Sequence, residues 1–446
     1  MPNAMVLVHL GIAIAMILVL ILKLRINPVI SLFLGSLYMG VASGLGAVAT
    51  VGAITEGFGG LLRGIGLSVG FGIMLGQLIA DSGAVQSIAN KLLNLTKEEG
   101  SDYALGVTGL IVSTPVFYDV GYVILAPLAR TLAKSVKTLP HFVGAMVAGL
   151  GIAHTFIPPT PGPMTGSELL KIELGVTMLW GIIVAVPTFF LSMWIYEKFF
   201  LGNASFWDPK TDEDSAFKEA ESSASLLDTK ELPSFGISII PIFLPVFLIL
   251  LGTTIKALYG SVPGPIQFLS DRNIAMLVGV FAAIFLASQS MSKEKIEESI
   301  NVALGSAGIV LLITGAGGGL GNVLGKAGVG QVLTEIMGSL RIHPLLLTWV
   351  IAALLKIAQG SGTVAMITAV GIVAPAVPTM GIPAILVALA AFSGSLMGAH
   401  VNDSGFWITA KVAGLSTSGG LKTYTMVCAL QSMISIILIM ALSAIL

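Results

Sequence analysis

The sequence predicts an all-α polytopic membrane protein of two inverted repeats, each with about five membrane-spanning helices and one re-entrant hairpin. Charged residues make up only 10% of the 446 residues, against about 25% in an ordinary soluble domain. Apolar residues make up 55%, and eleven of the 45 charges fall within 208–231. So few charges cannot cover a soluble surface, which excludes a soluble enzyme, a disordered chain and a collagen-like rod.

Twelve apolar runs, each long enough for a membrane helix or hairpin, form two groups of six. The segment between them carries eight acids against three lysines, and its acids, Asp212–Asp214 among them, are predicted to form a solvated surface. The predicted domains are therefore a first repeat (1–200), an acidic linker (201–233) and a second repeat (234–446). The runs cover about 5–22, 29–50, 64–80, 104–129, 141–157, 176–197, 237–255, 273–289, 302–324, 344–378, 383–400 and 425–446.

The two halves also align residue by residue at a nearly constant offset. His154 aligns with His400 at an offset of 246, and Ser113 aligns with Ser361 at 248. Such an internal repeat is typical of secondary transporters. Five crossings and one hairpin per half make an odd number, so the second half is predicted to be inverted. In this topology twelve Lys and Arg residues lie on one face of the membrane and six on the other. Because the face richer in Lys and Arg is usually cytoplasmic, the linker is predicted to be cytoplasmic and both termini outside.

Two runs in each half are interrupted by residues that break helices. The fourth runs contain 113–119 and 359–363, and the fifth runs end in 154–163 and 400–407, all rich in Pro, Gly, Ser, Thr or Asp. Broken backbone within a membrane needs cover from protein or a water-filled cavity. The sequence therefore predicts two re-entrant hairpins with polar tips and two broken helices that meet near the midplane.

The residues at these breaks favour an anionic substrate. Helix ends at the tips present unpaired amides with partial positive charge, and four hydroxyls can add donors. Two histidines at equivalent repeat positions either contact substrate or proton, or hydrogen-bond across the interface. Two histidines alone do not make a metal site. These candidates are Ser113, Thr114, Ser361 and Thr363, with His154 and His400.

Three charged residues fall in or beside the breaks. Asp119 and Asp403 are candidate proton-coupling residues because an intramembrane carboxylate is costly and usually functional, although each could simply cap a helix. Lys356 could pair with a substrate carboxylate or an aspartate, or it could extend to the membrane surface. The glycine cluster 315–321 does not match a nucleotide-binding motif, so no ATP site is predicted.

The same breaks resemble the gluconate permease family of proton symporters, in the ion transporter superfamily. The resemblance lies in Phe117-Tyr-Asp-Val-Gly-Tyr-Val123, in His154–Pro163, in Lys356-Ile-Ala-Gln-Gly-Ser-Gly-Thr363 and in His400-Val-Asn-Asp-Ser-Gly-Phe-Trp407. It spans the chain outside the linker. It implies a bacterial inner-membrane symporter for gluconate or a related sugar acid, glycerate or D-serine, with membrane lipid as a partner and no cofactor. It also implies a homodimer in which a transport domain moves against a scaffold like an elevator. The net charge of −1 separately gives no indication of a nucleic-acid partner.

The resemblance adds Tyr118, Thr160, Gln359 and Asn402 to the candidate substrate-binding residues. Departures from the family pattern include Asp119 for Glu, Gly362 for Ala, Thr160 for His and Gln359 for Leu. Thr160 and Gln359 bear most directly on which acid is bound. They leave the family match intact.

Other functions stay open at the level of the sequence. Sodium coupling would use backbone carbonyl and hydroxyl oxygens at half-helix ends, which Ser361–Thr363 could supply. An intramembrane enzyme would need a nucleophile with a base, such as Ser113 with His154 or Ser404 with His400. A channel is less favoured because the sequence has no repeated acidic or carbonyl filter motif.

Overall fold

The computed structural model describes residues 3–96, 98–133, 136–203, 205–214, 232–340 and 342–445, and every regular element in those ranges is helical. The predicted all-α fold is therefore confirmed. The middle of the predicted linker, 215–231, lies outside the described residues, as do Lys97, Lys134 and Arg341, three of the cations used to predict topology.

Among the described residues, the first half contains nine α-helices in the order that the hydropathy predicts, with two short helices, Ala84–Leu95 and Pro161–Leu169, beyond the predicted runs. The ninth continues into a π-helical turn, Tyr196–Leu201. The helices are α1 (Asn3–Leu22), α2 (Pro28–Ala42), α3 (Ala47–Asp81), α4 (Ala84–Leu95), α5 (Ser101–Val112), α6 (Tyr118–Ala133), α7 (Leu139–Phe156), α8 (Pro161–Leu169) and α9 (Leu174–Ile195).

The second half repeats this order after a short linker turn, α10 (Pro209–Asp212). A 3-10 turn, Ala374–Thr379, follows its second hairpin helix, and a π-helical turn, Leu421–Thr425, precedes its last helix. The helices are α11 (Phe235–Tyr259), α12 (Gly264–Ser270), α13 (Arg272–Ala287), α14 (Lys293–Lys326), α15 (Val329–Leu340), α16 (Pro344–Gln359), α17 (Gly362–Val373), α18 (Ala384–Gly394), α19 (Ser404–Ala413), α20 (Thr417–Gly420) and α21 (Met426–Ser443).

The two halves share local detail as well as helix order. The long helices α3 and α14 have 35 and 34 residues, and each is followed by a 12-residue helix. The intervening turns use Gly83 at φ 84° and Gly328 at φ 79°, a left-handed conformation that favours glycine. This agreement supports the internal repeat. The inversion of one half relative to the other stays a prediction.

Several predicted boundaries were wrong. The run 29–50 divides because Gly44 and Gly46 adopt positive φ, and residues 47–63 form the first half of α3. The run 302–324 begins earlier, at Lys293, because Ser292 caps the helix and charged residues can occupy its exposed start. The helix α7 continues through His154, and α8 begins at Pro161, where the missing N–H of proline is tolerated.

Within the described residues, seven helices are long and apolar enough to cross a membrane, or eight if α12 and α13, bent by 65°, form one span. The segments α1, α2, α16 and α18 are apolar but shorter. The chain is therefore a multi-pass membrane protein. Five crossings per half would make ten in all, whereas length and composition identify only seven or eight spanning helices. The number of crossings therefore stays a prediction.

The helices are described here as two groups, which also contact each other where α14 packs on α17, α9 on α11 and α3 on α8. The first, called here the frame, consists of α1–α3 and α11–α14. The second, called here the hairpin bundle, consists of α5–α9 and α16–α21. An ion pair joins the groups where Arg272 of α13 donates from Nη1 to Glu168 Oε2 of α8 at 2.9 Å. Lys171 Nζ approaches the same Glu168 carboxylate at 3.5 Å.

The crossing of α3 and α14 brings two backbones together without side chains between them. A Cβ on Gly318 would lie 2.7 Å from the carbonyl oxygen of Gly57. Replacing Gly318 by alanine is therefore expected to destabilise the fold by about 1–3 kcal/mol, because the two backbones must separate. A lower unfolding temperature of the detergent-purified protein would measure this loss.

The matched control is Gly308→Ala on the same helix, where a Cβ meets no atom within 4 Å. It should leave stability unchanged or slightly raised, since alanine favours a helix over glycine. Equal unfolding temperatures for the two variants would contradict a close backbone contact.

One part of the linker prediction was wrong. Asp212 is fully buried, whereas a solvated surface was predicted for Asp212–Asp214. Its carboxylate accepts hydrogen bonds from Lys422 Nζ at 2.7 Å and Ser418 Oγ at 2.6 Å. The acid is therefore buried by a contact 210 residues away along the chain, which local composition cannot reveal.

Candidate functional site

The hairpin tips and the two helix breaks meet around a cavity of about 240 Å³ within the hairpin bundle. This volume is below the 300–1,000 Å³ typical of pockets for drug-sized ligands, so the cavity suits a small solute. Its lining comprises Phe117, Tyr118, Asp119, Gly151, His154, Thr155, Gly162, Lys356, Ser361, Gly362, Thr363, Met366, Ser395, Leu396, Ala399, Asp403, Ser404, Gly405, Tyr424 and Cys428.

Lys356 lies in the last turn of α16 and is only 3% exposed. Its ammonium group donates to the carbonyl oxygen of Gly360 at 2.5 Å and forms an ion pair with Asp403. Of the alternatives predicted for Lys356, extension to the membrane surface was wrong, and pairing with an aspartate is observed. The pair supplies a buried cation at the cavity wall.

Asp403 is the N-cap of α19, and three donors hold its carboxylate. Oδ1 accepts from the amide of Gly405 at 2.9 Å, while Oδ2 accepts from Tyr424 Oη at 2.8 Å and from Lys356. The predicted capping role is therefore present. The ion pair adds a second role, because it neutralises a carboxylate that would be costly to bury alone.

Asp119 differs from Asp403 in its surroundings. It lies in the first turn of α6 and faces the cavity half-buried. Within the described part of the chain its carboxylate has no hydrogen bond or ion pair, whereas the carboxylate of Asp403 is fully bonded. Of the two acids, Asp119 is the one that a proton or a substrate group can reach without first breaking a contact.

The two aligned histidines occupy different environments. His154 lines the cavity against Phe117, with ring centroids 5.8 Å apart, and its buried Nδ1 has no partner among the described residues. His400 lies outside the lining, with Nε2 3.2 Å from the carbonyl oxygen of Ile357. Repeat symmetry therefore identified one residue of the cavity and one residue of the second break.

Six of the predicted substrate-binding residues lie outside the cavity lining. Most of them bond to backbone carbonyls that helix ends leave free, so they stabilise the breaks. Gln359 differs, because its buried side-chain nitrogen has no partner within the described ranges. The bonds run from Ser113 to Val116, from Thr114 to Leu110, from Thr160 to Ile157, from Asn402 to Ile357 and Ala358, and from His400 to Ile357.

Several lining residues were missed by the sequence reasoning, Tyr424 and Cys428 among them. Tyr424 lies in a π-helical turn, a feature frequent at functional sites but without a reliable sequence signal. Its ring stacks edge-on against Tyr118, with centroids 5.8 Å apart, and Tyr118 in turn bonds to Thr409 at 2.6 Å. Ser395 and Ser404 add hydroxyls to those predicted from Ser361 and Thr363.

The cavity brings polar groups from both halves of the chain together. It contains one cation, several hydroxyls and a carboxylate that has no bonding partner among the described residues. Broken helices that enclose such a site are typical of secondary transporters. The chain belongs to the GntP family of permeases, whose family model matches residues 5–445.

The chain matches curated transporters along nearly their whole length. The chain is 34% identical over 438 residues to the high-affinity gluconate transporter of Escherichia coli K12, covering 97% of both proteins. It is 32% identical to the Gnt-II system L-idonate transporter of the same organism, covering 99% of this chain and 100% of that one. The gluconate permease of Bacillus subtilis is 32% identical, with 97% of both covered.

Two solved transporter structures share the fold. The YdaH transporter of Alcanivorax borkumensis superposes with a TM-score of 0.63 at 14% identity, covering 94% of this chain and 98% of its own. MtrF of Neisseria gonorrhoeae gives a TM-score of 0.61 at 14% identity, covering 90% and 84%. The family match and the named relatives show that the protein is a permease, so the alternative of an intramembrane enzyme is set aside.

Proposed function

We propose that this protein is a proton-coupled symporter of gluconate or a related small hydroxycarboxylate. The names of its relatives support the substrate class, since gluconate and L-idonate are both hydroxycarboxylates. The observation that carries the proposal is the buried Lys356–Asp403 pair beside the unpaired Asp119 in one cavity. It provides a cation for a substrate carboxylate and an acid that can take up a proton.

Coupling follows from the charge of the cavity. Lys356 and Asp403 neutralise each other, and Asp119 adds one negative charge. A substrate carboxylate that bonds to Lys356 brings a second negative charge into a site of low dielectric, which is costly unless a carboxylate takes up a proton. Substrate and proton therefore bind together, and the hydroxyls of Ser361 and Thr363 bond to substrate hydroxyls.

The proposed localisation is the bacterial inner membrane, with the linker cytoplasmic and both termini outside. The contact between Asp212 of the linker and Lys422 supports one part of this topology, because the positive-inside count assigns Lys422 to the linker face. A homodimer and an elevator movement of the hairpin bundle against the frame are part of the proposal.

Uptake of labelled gluconate into proteoliposomes tests the proposal. With an inward proton gradient and no sodium, gluconate is expected to accumulate, and a protonophore should abolish that accumulation. Excess L-idonate, D-glycerate and D-serine serve as competitors and rank the substrates. Uptake that requires sodium would instead favour sodium coupling through the oxygens of Ser361 and Thr363. Transport of glycerate or D-serine without transport of gluconate would change the proposed substrate and leave the proposed mechanism in place.

A further inference from the structure

The first described part of the linker is bound to the segment that leads into α21. Ser416 donates through its amide to the carbonyl of Asp212 at 3.0 Å and through Oγ to the carbonyl of Thr211 at 2.7 Å. The amide of Asp214 donates to the carbonyl of Gly414 at 2.9 Å. These bonds attach the linker to both ends of the turn between α19 and α20.

The buried side-chain carboxylate of Asp212 adds further hydrogen bonds to this contact between the linker and the segment before α21. It accepts from Ser418 at 2.6 Å, from Lys422 at 2.7 Å and from the amide of Asp208 at 2.8 Å. The close approach requires glycine at position 419, because a Cβ there would collide with the carbonyl oxygen of Asp212. Two of the three donors to this buried carboxylate, Ser418 and Lys422, therefore belong to one short segment, and the third is in the linker itself.

The charge on Asp212 is stable over the physiological range. Burial raises the pKa of the carboxyl, but the hydrogen bonds from Lys422, Ser418 and the Asp208 amide outweigh that effect and hold it below the ordinary value of 3.8. A lowered pKa stabilises the contact at every pH above 3.8, and this stabilisation is lost only as the pH falls through the lower folded value. The contact therefore does not respond to pH changes near neutrality.

The segment held by Asp212 also shapes the cavity. Tyr424 lies two residues after Lys422 in the π-helical turn, and residues two apart on a helical turn do not face each other. Lys422 is accordingly directed to the linker while Tyr424 is directed to the cavity, where its hydroxyl donates to Asp403. The carbonyl of Lys422 is fixed as well, by the hydroxyl of Tyr196 at 3.0 Å.

We propose that Asp212 is a positioning residue of the transport site: through Lys422 and Ser418 it fixes the turn that holds Tyr424 against Asp403, and it thereby sets the affinity of the cavity for its anionic substrate. This role rests on the proposed function for its effect on transport. Its structural part, the fixing of Tyr424, is independent of any substrate.

Cys428 provides a direct readout, because it is the single cysteine of the chain and lines the cavity one turn after Tyr424. In Asp212→Asn the rate of alkylation of Cys428 by N-ethylmaleimide is expected to rise several-fold, because the turn is loosened. Lys422→Ala removes the same Asp212–Lys422 ion pair by changing its more exposed member, and it should raise the alkylation rate in the same way. The matched control is Lys210→Ala, an exposed linker cation two residues from Asp212, which should leave the rate unchanged.

Transport gives the second readout. The same two variants are expected to raise the apparent KM for gluconate uptake several-fold with a smaller change in maximal rate, and Asp212→Glu should restore part of the affinity. Because the two variants remove one interaction, their effects should not add in the double variant. Unchanged alkylation and unchanged KM in both single variants would overturn the proposal. Faster alkylation without any gluconate uptake in the unmodified protein would count against the proposed substrate while supporting the positioning role.

Discussion

Replacement of Lys356 by methionine is expected to abolish gluconate uptake. The ammonium group is the one cation among the described residues that line the cavity, and it is paired with Asp403. Its loss removes the partner proposed for the substrate carboxylate. It also leaves Asp403 as an uncompensated buried charge, which costs about 3–5 kcal/mol when one member of such a pair is removed. Uptake into proteoliposomes and the unfolding temperature measure the two losses separately.

A double variant distinguishes binding from stability. Lys356→Met combined with Asp403→Asn removes both charges, so the unfolding temperature should recover toward that of the unmodified protein while uptake stays absent. Lys411→Ala, an exposed lysine on α19, is the control for general loss of positive charge and should transport normally. Substantial gluconate uptake by the double variant would remove Lys356 from the binding site.

Replacement of Asp119 by asparagine is expected to abolish proton-driven accumulation while substrate exchange across the membrane survives. The side chain keeps its size, but it can no longer bind the proton that compensates the charge of an entering anion. The measurement compares gradient-driven uptake with exchange of labelled for unlabelled gluconate in the same proteoliposomes. Exchange needs only the binding and movement of loaded carrier, so it should persist.

The comparison with Asp81→Asn gives the control for this variant. Asp81 ends α3 outside the cavity and accepts from Gln77 and Ser299, so its neutralisation should leave accumulation intact. Undiminished accumulation in Asp119→Asn would assign the proton to another group of the cavity, with Asp403 as the next candidate. Loss of both accumulation and exchange would indicate that Asp119 binds the substrate itself.

The sequence predicted the features that local chemistry determines. The prolines within 154–163 and the glycines within 359–363 interrupt helices, so both breaks were predicted, and a lysine three residues before the second of them was recognised as a candidate site residue. The division of the run 29–50 was missed because it depends on two glycines with positive φ in an apolar background. Average hydropathy does not record such turns.

Contacts between distant residues could not be predicted. Tyr424 reaches Asp403 across 21 residues, and Asp212 reaches Lys422 across 210. In both cases the donor that bonds to the carboxylate depends on the three-dimensional fold, whereas the sequence shows only that the carboxylate is present. For the same reason the hydroxyls of Ser113 and Thr160 looked like substrate donors in the sequence, although the structure directs them to neighbouring carbonyls.

The ion pair between Glu168 and Arg272 has a consequence for the timing of transport. It joins the hairpin bundle to the frame, with 17% and 29% of the two side chains exposed. A displacement of α8 along α13 by one helical turn, about 5.4 Å, would exceed the reach of the pair and break it. In the proposed elevator movement the bond would therefore exist in one position of the bundle only. Because both side chains are partly exposed, added salt is expected to screen the attraction and to shorten the time spent in that position.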